Sequence, residues 1–219
     1  MAASTIFQER LRSVGTGKAK GDFVEVVFGQ EDINVTGTSS GADWDGAGHL
    51  LTKEYNTGSS IDTPYGLVLV SMGIQAHIQQ SLTSQQTILF NGEMWVNDDP
   101  SIAQDTALGE ESYTIDNRLT TPINARNAIG SGGHTLGNTS TSGVVNDILS
   151  PYYKTESYAN EPMQHIFLGN TIDLNLKHYL NGNSSTAQTN VSVTGKWVFK
   201  KVKITKNAYL EKLAMRAYG

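Results

Sequence analysis

The residues best suited to chemistry are two carboxylates and a histidine in a glycine-rich stretch, Asp43-Trp-Asp45-Gly-Ala-Gly-His49. Carboxylates at i and i+2 ahead of a glycine can open a calcium loop, because alternating oxygens converge on one hard cation. The pattern stops there. No acid stands near position 47 and no glutamate closes a loop, so the aspartates are read as turn-formers that bond their own backbone, and no metal site is expected. The five histidines, His49, His77, His134, His165 and His178, show no HxH or HxxxH spacing, and no G-x-S-x-G marks a nucleophile. With no residues that can be given named catalytic roles, the chain is expected to be no enzyme and to need no cofactor. Gly15-Thr-Gly-Lys18 carries the lysine of a phosphate loop without its leading glycine or a preceding strand. Four glycosylation-type triplets, at Asn34, Asn138, Asn183 and Asn190, are taken as chance in a chain rich in Asn, Ser and Thr.

Binding chemistry is better represented. Trp44, Trp95, Tyr152, Tyr153 and Tyr158 could stack on sugars. The cluster Tyr152-Tyr153-Lys-Thr-Glu-Ser-Tyr158 equally suits a subunit interface, where tyrosine is enriched. Charge is segregated along the chain. Residues 1–20 carry +3 and residues 196–219 carry +6, whereas the residues between them carry −14, within a total of −5. Arg10, Arg12, Lys18, Lys20, Lys200, Lys201, Lys203, Lys206, Lys212 and Arg216 therefore form a basic set. If both termini lie at one end of the folded body, that set is a foot suited to phosphates, whether of lipid headgroups or of nucleic acid. The same lysines on an exposed strand would also blunt an edge against aggregation.

The elements that must hold these residues are mostly strands. Apolar residues make up 38% of the 219, below the usual share for a globular domain, so strands joined by long polar loops are expected. Cysteine is absent, which excludes disulfides and thiolate metal sites. The N-terminal residues show no apolar signal segment and no run approaches membrane-spanning length, so a soluble, unprocessed, intracellularly made chain is expected. Ser4 to Val14 reads as a short helix with Ile6, Phe7, Leu11 and Val14 on one face. Strands are expected at 21–28, 65–78 and 87–96, the last two paired as a hairpin, then at 163–167, 169–180 and 190–204. Residues 98–161 read as one oversized polar loop. In the last strand Val191, Val193, Trp197 and Phe199 share a face that straight alternation would continue with Lys201 and Lys203, so a bulge near Phe199 to Lys201 is expected. Tyr209, Leu210, Leu213, Ala214 and Tyr218 suit a closing amphipathic helix.

Seven or eight strands with very unequal loops and no fixed repeat point to an all-β antiparallel β-sandwich of jelly-roll type, with short terminal helices. The expected division is a basic N-terminal arm at 1–20, the sandwich at 21–205 and a basic C-terminal tail at 206–219. Basic arms at Arg10 to Lys20 and Lys200 to Arg216, a short β-core, the loop from Asp98 to Glu161, and the late strands Gly169 to Leu180 and Val191 to Ile204 together resemble the single jelly-roll capsid proteins of icosahedral prokaryotic viruses with an internal membrane. The resemblance implies a structural virion protein made in the host cytoplasm. It would associate with itself and with other capsid proteins, take no small-molecule substrate, and turn its basic termini towards membrane or genome. The alternative is a carbohydrate-binding β-sandwich of a phage tail or lectin kind, using Trp44 or Trp95.

Overall fold

The computed structural model describes residues 4–12, 23–36, 45–79, 87–97, 126–130, 134–138, 148–149, 152–158, 165–182 and 188–218. Among the described residues, twelve strands and one helix run in the order β1 (Ser4–Arg12), β2 (Phe23–Thr36), β3 (Asp45–Asn56), β4 (Tyr65–Ile78), β5 (Thr87–Asn97), β6 (Arg126–Gly130), β7 (His134–Asn138), β8 (Ile148–Leu149), β9 (Tyr152–Ser157), β10 (Ile166–Phe167), β11 (Thr171–Gly182), β12 (Gln188–Lys203) and α1 (Lys206–Tyr218). They form two six-stranded antiparallel sheets. The first has the order β1-β2-β12-β4, with β9 and β10 both on the far side of β4. The second has the order β3-β11-β5, with β6 and β7 following each other along β5 and β8 on β7. The pairings nest: β2 with β12, β3 with β11, β4 with β9 and β10, β5 with β6 and β7. A chain that pairs its ends first and its middle last, with each successive pair in the other sheet, is a jelly roll.

The alternation seen in sequence sets the faces. Val24, Val26 and Phe28 of β2, Trp197 and Phe199 of β12, and Leu69, Met72 and Ile74 of β4 turn inward to meet Ile172, Leu174 and Leu176 of β11 and Phe90, Met94 and Val96 of β5. Trp197 and Phe199 are wholly buried and take Phe28 and Phe167 as ring neighbours, at 6.5 and 6.0 Å between centroids. The sheets come close at Gly195, where an added Cβ would stand 2.6 Å from the Trp197 ring and 2.8 Å from the Met94 methyl.

Several sequence expectations give way here. Ser4–Arg12 is a strand, not a helix: it pairs residue for residue with Phe23 to Glu31 of β2, which sends Phe7 and Ile6 to opposite faces. Nine residues of ladder on an open sheet edge outweigh a short, weakly capped helix, whose nucleation is costly. The predicted hairpin of 65–78 and 87–96 does not form either, because β4 belongs to the first sheet and β5 to the second. Alternation shows that each strand buries one face but not against which neighbour. Part of the 98–161 stretch is strand: β6, β7, β8 and β9 supply the edges beyond β5 and β4, while 98–125 lies outside the described residues. Asp45 and His49 sit in β3 rather than in a loop, and Asp43 lies outside the described residues.

The register irregularity near Phe199 is real but falls on the neighbour. Val198 pairs with Ser71 and Phe199 with Leu69, so the extra residue is Val70 of β4, and β12 runs on unbroken to Lys203 opposite Tyr65. Lys201 thus keeps the inward phase, opposite Leu67. It is tolerated because the sandwich ends there: its Nζ lies over the Tyr65 ring, 5.0 Å from the centroid. A second shift between Val191 and Val193 lies against Asp32 of β2, whose φ of 55° is one that L-residues other than Asn and Asp seldom adopt.

After Lys203 the chain turns into α1, as expected. Thr205 caps it, accepting a bond from the Ala208 N–H at 3.2 Å through its hydroxyl and one from the Tyr209 N–H at 2.9 Å through its carbonyl. Tyr209 is the helix's buried anchor, while Leu210 faces solvent.

Candidate functional site

Antiparallel register brings the basic residues of both chain ends to one end of the first sheet. Across one row of its outward face stand Arg12 of β1, Phe23 of β2 and Lys200 of β12, followed by Val68 of β4. The next outward row holds Arg10, Glu25, Val198 and Ser71, and the one beyond it Gln8, Val27, Lys196 and Gly73. Lys203 ends β12 at the same level as Tyr65, and Lys206 opens α1 with its Nζ 3.8 Å from the almost fully exposed Asp62 carboxylate. Lys200, Lys203 and Lys206 are exposed. Lys212 and Arg216 follow on α1, and Lys18 and Lys20 lie outside the described residues.

The foot is therefore built differently from the expectation. It comes from the β1–β2 end and the C-terminal end of β12, not from the two chain termini: Ser4, near the N-terminus, lies opposite Glu31, at the far end of the sheet. The foot is also one-sided. At the same end of the molecule the outward face of the second sheet carries Asp173 directly opposite Glu54, with Asn97 on its other side, and at mid-strand Lys177 is drawn to Glu93 at 3.5 Å. Burial, reinforced by the Glu54 charge, raises the Asp173 pKa above the ordinary carboxylate range. Among the described residues, this end carries Arg12, Lys200, Lys203 and Lys206 on the first sheet's side and the Asp173–Glu54 pair, with Arg126 of β6, on the second's.

The rim between the two sheets is tied by tyrosines. The Tyr55 hydroxyl donates to Glu9 Oε1 at 2.9 Å, joining the edge strand of one sheet to that of the other, and the Tyr65 hydroxyl donates to the Thr57 carbonyl. Burial, then the Glu9 carboxylate, raises the pKa of both phenols, so both stay protonated donors. Lys53 closes the same side with its Nζ over the Phe7 ring at 4.7 Å.

The three tyrosines read as an interface separate. Tyr153 is 69% exposed on the outward face of β9. Tyr152 turns inward against the Phe90 ring, at 5.2 Å between centroids, and Tyr158 is buried in the core with its hydroxyl 3.3 Å from Glu156. Trp95, offered for sugar stacking, is buried, and Trp44 lies outside the described residues. The histidines scatter too. His178 is buried on an inward position opposite His49, His77 is on β4, His134 on β7, and the His165 ring packs edge-on against Phe167.

One residue escaped the sequence reading. Glu25 faces outward yet its side chain is only 4% exposed, paired with Lys196 at 3.1 Å. Its signal was present as a lone acid amid Phe23, Val24, Val26, Val27 and Phe28, in phase with Phe23 and Val27 and out of phase with the core. Around this pair the outward face is hollowed into a concavity of about 360 Å³ that reaches Tyr153.

No family model matches the chain, and no curated protein matches it. Among solved structures it is similar to the decameric BFDV capsid protein at 7% identity and a TM-score of 0.36, over 91% of this chain and 99% of that one, a likeness too slight to assign fold or function.

Proposed function

We propose that the chain is a structural virion protein, a subunit that associates with its own copies in an icosahedral shell, rests its basic foot on phosphates and works mechanically rather than as an enzyme. The observation that carries this reading is the one-sided foot. Arg10, Arg12, Lys200, Lys203 and Lys206 converge from distant parts of the chain on one end of a jelly roll, and acids occupy the opposite sheet at that end. A body polarised in this way takes one orientation on a polyanionic surface and presents its sheet faces and edges to neighbours. The edges suit lateral contact without runaway strand pairing. The edge strand β9 turns an ion pair, Lys154 to Glu156 at 2.9 Å, to its inward side, and β1 likewise turns Glu9 inward, a device that discourages edge-to-edge growth. The phosphates are those of a membrane surface or those of the genome.

The test is cosedimentation of the purified full chain with liposomes containing phosphatidylglycerol and, separately, with DNA, across a salt series. Binding at low salt that is released as ionic strength rises is expected, with the better ligand naming the source of the phosphates. A Lys200→Glu, Lys203→Glu double variant, altered at exposed positions, should lose it. Indifference of the native chain to both polyanions contradicts the foot.

A further inference from the structure

The concavity on the outward face of the first sheet continues the basic end. Phe23, which lines it, stands in the row of Arg12 and Lys200; the next rows hold Arg10, Glu25 and Val198, then Gln8, Val27 and Lys196, and the one beyond ends at Tyr153. The first three rows thus offer four cationic positions and one acid. That acid, Glu25, is buried and met by Lys196 at 3.1 Å, so it is engaged from within the sheet and takes no part in a contact. Lys196 and Lys200 are exposed, whereas Phe23, Val27 and Val198 are half-buried on a face where a solvated antiparallel sheet would carry polar residues. Gly73 keeps the floor of the hollow low, and an aromatic ring lines each end, Phe23 near the foot and Tyr153 at the exposed edge strand.

We propose that this face binds single-stranded nucleic acid, its cationic rows holding phosphates while the Phe23 and Tyr153 rings stack bases at the two ends of the hollow. The inference rests on the reading of the basic end as a phosphate-binding foot, and it names the source of those phosphates. Rings and recess together separate a single strand from other polyanions. An aromatic ring offers a phosphate nothing, yet it stacks on the π-face of any base, so the contact is tolerant of sequence. Bases of a duplex are held within its own stack, whereas those of a single strand can be splayed out into a recess. A bilayer presents a plane of headgroups, which cannot follow a recess of about 360 Å³ in a sheet face. Phe23 and Tyr153 lie three rows and three strands apart, about 25 Å on ordinary strand spacings. The ligand is therefore a run of several nucleotides, in keeping with the ~4–16 of other β-sheet sites for single strands.

The measurement is fluorescence anisotropy of the purified full chain with two labelled oligomers at one salt concentration, oligothymidine of about 15 nucleotides and an abasic oligomer with the same number of phosphates. Oligothymidine should bind about twentyfold tighter, two stacked bases at the low end of about fivefold each. Tyr153→Ala, at an exposed position, should cut that advantage about fivefold and leave binding of the abasic oligomer and of phosphatidylglycerol liposomes unchanged. Phe23→Ala should do the same while circular dichroism stays native. The Lys200→Glu, Lys203→Glu double variant should weaken both oligomers alike. Equal affinity of the native chain for the two oligomers overturns the stacking and leaves the foot standing; binding of neither overturns both. An advantage for oligothymidine that survives in the Tyr153→Ala, Phe23→Ala double variant, or an equal loss of liposome binding in Tyr153→Ala, likewise overturns the proposal.

Discussion

Asp173 shows how a single position on an otherwise regular face can hold unrealised stability. It stands directly across the β11–β3 ladder from Glu54, and like charges in that relation are destabilising. Its pKa is raised in the fold by burial first and by Glu54 second, so the folded chain binds a proton there more readily than the unfolded chain does. Stability at this site is therefore present below the unfolded pKa of about 3.9 and is lost as pH rises through the folded value. Asp173→Asn should stabilise the protein at neutral pH by about 0.2–1 kcal/mol in urea unfolding, and the advantage should shrink to nothing as pH falls below about 4; a constant advantage at all pH values would contradict the assignment. The alternation of Ile172, Leu174 and Leu176 with Asp173, Asn175 and Lys177 was legible in sequence, because it needs only the two-residue period of a strand. The partner Glu54, 119 positions away along the chain, was not, since nothing local fixes which strand lies alongside.

Among the elements, β12 is the axis of the first sheet, paired along its length with β2 on one side and β4 on the other. Its inward residues run Val193, Gly195, Trp197 and Phe199, and the glycine is where Trp197 and Met94 fold over the backbone. Gly195→Ala asks a fully buried indole to move. Overpacking costs about 1–3 kcal/mol, more than the ~0.4–1 kcal/mol gained by stiffening the unfolded chain. A lowered urea midpoint with an unchanged slope is the expected result, and an unchanged midpoint would show that the sheets can part without strain. The last strand and its helix were readable from the dense β-branched and aromatic run and from the change of period after Ile204. The N-terminal strand was not. Residues such as Ile6, Phe7 and Leu11 fit a helical face as well as a strand, and the deciding term is the vacant edge of β2, which no local pattern reveals. The same blindness turned β4 and β5 into a hairpin. Strand existence is local, whereas the sheet a strand joins is settled by packing.

At the scale of the molecule, the charge sums are plain in the sequence, and the structure turns them into geometry. Basic residues from β1, β12 and α1 meet at one end of the first sheet, with Glu25 among them and Asp62 beside Lys206, while Asp173 and Glu54 stand at that end of the second. The sequence reading draws the basic set from both chain ends, and the pairing of β1 and β12 on either side of β2 makes Arg10 and Arg12 neighbours of Lys200 across Glu25 and Phe23. The tyrosine cluster fared differently. Period 2 within β9 divides Tyr152 from Tyr153, leaving only Tyr153 exposed and available to a ligand or neighbour. The central claim is that such polarised bodies add up to a closed shell, and light scattering with negative-stain imaging of the purified full chain, over rising protein concentration at low salt with and without DNA or anionic liposomes, tests it most directly. Closed particles of uniform size, promoted by the polyanion and dispersed by salt, are the predicted result; a chain that stays monomeric under every one of these conditions contradicts it.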